Sequence, residues 1–207
     1  VAPAGLRSNA YTYVATDAWL GAPLEPVDPD RALVWLAGEY LRAFGPARVA
    51  DFRWWAGATP SRARAAIEAQ ATIELEDGLL LSSGDRDAFE TCEPLDPDAV
   101  DLLPLWDSYT MGYAPDGRAR FVQPEHLQRA YTGGDGRGLV LRAGRAVAAW
   151  GVRFNGRRME VRLDQFEAAS EGFRSAIEDR LQGAAALLEA VDVTIGEGPM
   201  RGRTGWG

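Results

Sequence analysis

Three helical patterns in the first half of the chain constrain its fold more than any other feature. The first begins at Asp30, a suitable N-cap, and keeps apolar residues at helical spacing until a Gly-Pro pair at residues 45–46. The second covers residues 47–56. The third covers residues 59–70, where a threonine N-cap precedes a proline at the first helical position. These patterns predict three short helices in succession.

A hairpin signal follows the third helix. Two short β-prone runs flank Asp77-Gly78, and Asp-Gly is a dipeptide typical of tight hairpin turns. Three helices followed by a hairpin is the order of a winged helix, in which the third helix reads DNA and the hairpin is the wing. The sequence therefore predicts a winged helix over residues 30–90.

The second half of the chain has the pattern of strands. β-prone runs cover residues 138–142, 146–154 and 159–163, and Asn155-Gly156 is a strong hairpin signal between two of them. Ser170 is then a suitable N-cap for a long amphipathic helix. We predict an α+β fold, with the winged helix followed by an antiparallel, β-rich, barrel-like domain over residues 102–195 that carries a C-terminal helix.

The remaining segments are predicted to lie outside these two units. Residues 1–29 have the pattern of the end of a preceding unit and a proline-punctuated linker. Residues 91–101 form an acidic, proline-bearing linker. Residues 196–207 are rich in glycine and are predicted to be a disordered tail.

Charge is distributed unevenly along the chain. The net charge is −8, yet residues 108–166 hold ten arginines against five acids, for a local +5. Residues 1–107 hold eight arginines against 18 acids, and residues 167–207 hold four against seven. Such asymmetry indicates a polyanionic partner for the middle of the chain.

The candidate DNA-binding residues follow from this asymmetry. Several arginines lie at predicted turns or alternate with apolar residues, so they would occupy the solvent face of a sheet. Two more would lie near the start of the third helix, where side chains of a winged helix reach DNA. The candidates are Arg118, Arg120, Arg142, Arg145, Arg153, Arg157, Arg158, Arg62 and Arg64.

The charge of the predicted winged helix opposes DNA binding. Residues 31–90 hold seven arginines against nine acids, and the predicted wing is acidic. Phosphate attraction supplies most of the affinity of a DNA-binding protein. A winged helix that serves as a packing scaffold is therefore an alternative to one that reads DNA.

Composition excludes several kinds of site. One cysteine and one histidine, Cys92 and His126, exclude an internal disulfide framework and a multi-cysteine zinc site, so no metal and no cofactor are expected. No run of the sequence approaches the roughly 18 apolar residues of a membrane span, and no signal segment opens the chain. We expect a cytoplasmic protein. All 22 basic residues are arginine, which indicates a GC-rich, bacterial genome.

Three blocks of the sequence resemble one family. The blocks are YLRAFGPARVADF at residues 40–52, LPLWD at 103–107 with Gly112-Tyr113, and GRAV at 144–147 with Trp150-Gly151. They resemble the winged-helix DNA-binding-domain proteins of the AlkZ-like DNA glycosylase family, over roughly residues 5–190. The resemblance implies tandem winged helices followed by a β-rich C-terminal domain. It also implies excision of alkylated or crosslinked bases without a metal.

The resemblance provides no catalytic residue. The family's catalytic Gln-x-Gln or Gln-x-Asp motif belongs to a region before the winged helix seen here. None of the five glutamines of this chain begins such a motif. The chain is therefore expected to be the C-terminal portion of such a protein, or a shortened relative.

Three functions remain open from the sequence. The first is the DNA-binding portion of an AlkZ-like protein, which would contact duplex DNA without sequence preference in support of base excision. The second is a winged-helix transcriptional regulator that reads bases with Arg62 and Arg64. The third is a scaffold or protein-interaction module without DNA binding, which the net charge of −8 favours. The sequence does not indicate an oligomeric state.

Overall fold

The structure, a computed structural model, describes residues 2–3, 11–202 and 204–205. The helices in these residues are α1 (Thr16–Leu20), α2 (Pro29–Phe44), α3 (Val49–Ala56), α4 (Pro60–Glu68), α5 (Arg86–Thr91), α6 (Leu127–Ala130) and α7 (Glu171–Leu187). The strands are β1 (Ala2–Pro3), β2 (Tyr11–Thr12), β3 (Thr72–Glu74), β4 (Leu80–Ser82), β5 (Val100–Leu103), β6 (Tyr131–Thr132), β7 (Asp135–Gly136), β8 (Gly138–Arg142), β9 (Arg145–Asn155), β10 (Arg158–Gln165) and β11 (Asp192–Glu197).

The first helix of the predicted trio begins slightly earlier than expected. Asp28, rather than Asp30, is the N-cap of α2, and its Oδ1 accepts hydrogen bonds from the backbone N–H groups of Asp30 at 3.1 Å and Arg31 at 2.9 Å. Pro29 takes the first helical position, where a missing N–H has no effect on the helix. The helix then ends at Phe44, before the Gly-Pro pair that was expected to stop it.

The hairpin forms at the predicted turn. Strands β3 and β4 pair antiparallel, and both residues of the Asp77-Gly78 turn have positive φ angles, 58° and 68°. Ala47 and Leu80 exchange two backbone hydrogen bonds of 3.0 and 2.9 Å. These bonds tie the hairpin to the connection between α2 and α3, so that α2, α3, α4 and the hairpin form one helical unit.

The main sheet is mixed rather than antiparallel. Its strand order is β11-β10-β9-β8-β5, and the first pair in that order is parallel while the others are antiparallel. The prediction of an antiparallel domain was wrong at this edge because α7 carries the chain back to the start of β10 before β11 begins. A hairpin forms at the predicted place, but its two-residue turn is Gly156-Arg157 and not Asn155-Gly156, since Asn155 ends β9 and pairs with Arg158.

The core continues from the helical unit into the β-rich domain. One face of the sheet packs on α7 through Phe173, Ile177 and Leu181. A second cluster joins buried residues of α2, α3 and α4 to the segment 113–131 and to β8 and β9. The predicted linker at residues 91–101 therefore joins two units that share a core, and its last two residues begin strand β5.

The end of the chain differs from the predicted disordered tail at residues 196–207. Strand β11 runs through Glu197, and Met200 is buried. The backbone N–H of Met200 donates to the buried Asp164 carboxylate at 3.3 Å. The described part of this segment packs on the sheet because Gly151 leaves room for the chain to cross: a Cβ there would lie 1.9 Å from the Thr204 carbonyl oxygen.

Candidate nucleic-acid interface

Helix α4 presents two of the candidate arginines to solvent. Its buried face consists of Ala63, Ala66 and Ile67, so Arg62 and Arg64 point away from the core. Arg62 forms an ion pair with Asp30, with 2.8 Å between guanidinium nitrogen and carboxylate oxygen. Among the described residues, Arg64 has no ion-pair partner. The outer face of α4 therefore carries one paired and one unpaired guanidinium.

Three candidates cluster around the turn between β9 and β10. Arg153 forms an ion pair of 2.5 Å with Glu160, the residue directly opposite on β10. Arg158 contacts Asp192 of β11 at 3.0 Å. Arg157 lies in the turn, and its Nε donates to the Glu189 carbonyl oxygen at 3.3 Å. Carboxylates therefore neutralise two of these three charges, one of them half-buried and one exposed.

Two further candidates flank the turn between β8 and β9. The Arg142 guanidinium donates to the Asp98 carboxylate at 2.6 Å and to the Pro97 carbonyl oxygen at 3.0 Å. Arg145 is exposed and, within the described part of the chain, has no ion pair. This turn and the β9–β10 turn lie at opposite ends of β9, which has 11 residues. At about 3.3 Å per residue, the two arginine groups lie about 33 Å apart.

Arg120 joins the helical unit to the β-rich domain instead of forming part of an open basic surface. Its Nη1 donates to the Pro46 carbonyl oxygen at 2.8 Å, and its guanidinium lies 3.9 Å from the centre of the Tyr113 ring. Two tyrosines make similar links. The Tyr40 hydroxyl donates to the Gly112 carbonyl oxygen at 2.8 Å, and the Tyr113 hydroxyl donates to the Phe44 carbonyl oxygen at 2.9 Å. Arg120 is thus a positioning residue between the two units.

Arg118 is buried, with 4% of its surface exposed. Its guanidinium lies 3.7 Å from the centre of the Tyr131 ring and 5.2 Å from that of Trp54 on α3. Its Nε and Nη2 atoms are buried without a hydrogen-bond partner, and in the described residues no acid pairs with it. Burial lowers the pKa of this guanidinium, because desolvation disfavours the charged form.

A buried carboxylate that the sequence did not indicate fixes α3 against the β-rich domain. Asp51 is fully buried and accepts hydrogen bonds from Arg48 Nη2 at 2.9 Å and Nε at 3.0 Å. It also accepts from the backbone N–H of Arg48 and from that of Ala114, 63 residues away in sequence, both at 3.1 Å. The bonds to Asp51 and then to Asp116 raise the pKa of Arg48, and the bond from Arg48 lowers that of Asp116. The orientation of α3 is therefore set by charge as well as by packing.

The described residues offer little for other kinds of site. No group of three potential metal ligands occurs among them, and no helix in the described ranges is long and apolar enough to span a membrane. The structure does not bring the nine candidate arginines together on one surface. It places them on α4, at the two turns that flank β9, and at the contact between the two units.

The comparisons with known proteins agree with this architecture. The chain is similar to the solved structure of the DNA glycosylase AlkZ from Streptomyces sahachiroi, with a TM-score of 0.67 and 19% sequence identity. The similarity covers 84% of this chain and 48% of the Streptomyces chain, so this chain spans about half the length of that protein. A likeness at this level of identity shows the fold alone. Among curated proteins no match is found.

The family is established by a match to a family model. The model described as "DNA glycosylase AlkZ-like" matches residues 1–187, which is most of the 207-residue chain. This chain belongs to the AlkZ-like DNA glycosylase family.

Proposed function

We propose that this chain is the C-terminal, DNA-binding portion of an AlkZ-like protein, and that it contacts duplex DNA without sequence preference in support of base-excision repair. The observation that carries the proposal, beside the family, is the outer face of α4, which exposes Ser61, Arg62 and Arg64 on a helix whose other face is core. A helix with this arrangement, in third position before a hairpin, is suited to a DNA groove.

We further propose that residues 30–90 are a winged helix. The order of three helices and a hairpin supports this assignment, as does the bridge between Ala47 and Leu80, which makes the helix connection a third strand of the wing. The wing itself carries Glu74, Glu76 and Asp77, so phosphate contacts would come from α4 and not from the wing.

The ion pairs on the candidate arginines do not prevent DNA contact. The pairs of Arg62, Arg153 and Arg158 are at least partly exposed, and exposed pairs contribute about 0–1 kcal/mol. A phosphate that replaces one of these carboxylates would therefore break a weak interaction and form a charge-assisted one. The unpaired Arg64 and Arg145 need no such exchange.

The proposed role of this chain includes no step of base excision itself. No Gln-x-Gln or Gln-x-Asp pair occurs in its 207 residues, and we propose no catalytic residue in it. The Streptomyces protein is named a DNA glycosylase, but this chain matches only 48% of it. The proposed role of this chain is to hold the DNA.

Fluorescence anisotropy with labelled duplex DNA at several salt concentrations tests the proposal. The test variant is R62Q/R64Q on the outer face of α4, and the matched control is R174Q/R180Q, which removes the same charge from exposed positions on α7. Each phosphate contact contributes about 0.9 to the slope of log affinity against log salt. If both arginines of α4 contact phosphates, the test variant lowers this slope by about 1.8 and the control leaves it unchanged.

Two results would count against the proposal. If the unmodified chain does not bind duplex DNA even at low salt, the proposed DNA contact is wrong. Equal losses in the test and control variants would show a general charge effect instead of a contact at α4. A strong preference for one duplex sequence would favour the transcriptional regulator, which requires base contacts from α4.

A protein-interaction scaffold is the second candidate, and one observation favours it. Most candidate arginines already have partners within the chain, so the local +5 of residues 108–166 is not displayed as a free basic surface. A scaffold would bind no DNA at any salt concentration, which the same assay measures.

A further inference from the structure

Trp54 on α3 is an aromatic residue whose exposure the packing of the core does not explain. The residue is 37% exposed, and its ring contacts the Arg118 guanidinium. The next residue, Trp55, is equally exposed but packs on Tyr40 at 5.2 Å and Phe44 at 5.8 Å, so it belongs to the aromatic core. Trp54 makes no aromatic ring contact among the described residues.

The group behind Trp54 is a cation that the fold leaves unpaired. Arg118 contacts both Trp54 and the buried Tyr131, so the three groups lead from the core to the surface. A buried arginine is normally paired with an acid, because an unpaired buried charge is strongly unfavourable. Here two of the Arg118 donor atoms are buried without an acceptor, and the charge is in contact with the aromatic faces of Trp54 and Tyr131. Among the described residues, no carboxylate neutralises this charge beside Trp54.

The neighbouring charges favour an anionic ligand. Arg53 precedes Trp54 on α3, is exposed, and forms no ion pair in the described part of the chain. The nearby Asp116 is ion-paired with Arg48, and its pKa is lowered first by that bond and also by the charge of Arg53, so Arg53 lies near this carboxylate without pairing with it. The surface around the indole thus combines a flat aromatic group, the buried Arg118 guanidinium, which has no carboxylate partner among the described residues, and the exposed guanidinium of Arg53.

We infer that Trp54 is a stacking site for an unpaired nucleobase of DNA, with Arg118 supporting the indole from the inner side and Arg53 available to the adjoining phosphate. Every base has a flat π-face, and stacking on aromatic side chains holds single-stranded nucleic acid without sequence preference. A phosphate alone would gain nothing from the indole. This inference rests on the proposed function and adds a ligand class that the arginines of the sheet do not recognise.

Three DNA probes separate this site from general DNA contact. They are single-stranded oligothymidylate, a fully paired duplex, and the same duplex with one unpaired base. In W54A we expect affinity for the two probes with unpaired bases to fall by about tenfold, within the range for loss of one base–aromatic stack. Affinity for the fully paired duplex should change less than twofold. Because stacking is not ionic, the salt slope for oligothymidylate should remain that of the unmodified protein.

The matched control is W35A, which removes a tryptophan from an exposed position on α2, where the side chain is 65% exposed. It should bind all three probes like the unmodified protein, and W54F should keep most of the affinity because it retains a flat ring. Photo-crosslinking of iodouracil-substituted oligonucleotide to the unmodified protein, with the crosslinked peptide identified by mass spectrometry, provides a readout that needs no variant. The crosslink should map to the peptide that contains Trp54.

The inference is overturned if W54A binds oligothymidylate as W35A does, or if the crosslink maps only to other peptides. In either case duplex binding would persist and the proposed function would stand. If the unmodified protein binds none of the three probes, the proposed function itself fails. That result is distinct from one in which the unmodified protein binds DNA and W54A binds it equally well.

Discussion

Replacement of Asp51 by alanine would break the charged link between α3 and the β-rich domain. Asp51 is fully buried and accepts four hydrogen bonds, three from Arg48 and one from the Ala114 backbone. Removing one partner of a buried ion pair costs about 3–5 kcal/mol when the other charge stays buried without compensation. Arg48 keeps its ion pair with Asp116 and its side chain is 27% exposed, so this part of the cost falls at the lower end of that range. The Ala114 N–H adds about 1–3 kcal/mol if it loses its acceptor. We therefore expect D51A to lower the free energy of unfolding by about 3–4 kcal/mol.

Urea unfolding followed by circular dichroism measures this change. For a chain of this size, 3–4 kcal/mol corresponds to a fall in melting temperature of about 6–16 °C. The control is D98A, which removes the partner of Arg142 from an exposed ion pair and should cost less than about 1 kcal/mol. A loss below 1 kcal/mol in D51A would refute the reasoning, since it would show that the Asp51 hydrogen bonds contribute no more than an exposed pair.

Three further predictions concern stability. Gly117→Ala should lower the free energy of unfolding by about 1–3 kcal/mol, because the new Cβ would lie 2.5 Å from the Asp51 Oδ1 atom. G183A, in the open middle of α7, should raise the free energy of unfolding by about 0.8–1 kcal/mol. The urea midpoints of the two variants should therefore move in opposite directions. Ser170→Ala should cost about 1 kcal/mol in the same assay through loss of the α7 N-cap. Burial raises the pKa of Tyr109 above its ordinary value near 10. The stabilisation from the neutral, buried Tyr109 is therefore complete below about pH 10 and is lost as the pH rises above it, where the unfolded chain ionises first. Y109F should reduce the fall in the free energy of unfolding that is measured above about pH 10.

Local sequence signals predicted the elements that local interactions determine. The hairpin turn at Asp77-Gly78 forms because both residues tolerate positive φ. Helix α7 begins directly after Ser170 because the Ser170 hydroxyl caps it. Residues 191–195 have the pattern of an edge strand, but the parallel direction of β11 was not predicted, because that direction depends on how α7 packs across the sheet and not on the residues of the strand. The family resemblance was predicted from three short blocks, and the family-model match confirms it.

The arrangement of the candidate site was less predictable than its composition. Counting arginines showed where positive charge is concentrated, but the acids that pair with it come from distant segments, such as Asp98 for Arg142 and Asp192 for Arg158. The burial of Arg118 depends on Trp54, 64 positions earlier in the chain, and on Tyr131. A pattern of single residues contains no signal for such contacts.

The charge distribution also affects how the proposed DNA contact would respond to salt. At physiological ionic strength the Debye length is about 8 Å, so acids farther away than this are largely screened from a phosphate at α4 or at the β9–β10 turn. Lowering the salt strengthens the local attraction, but it also extends the repulsion from the net charge of −8. The two effects oppose each other. At low salt, the slope of log affinity against log salt should therefore be shallower than the slope calculated from the number of phosphate contacts. As the salt concentration rises, the measured slope should approach the calculated one.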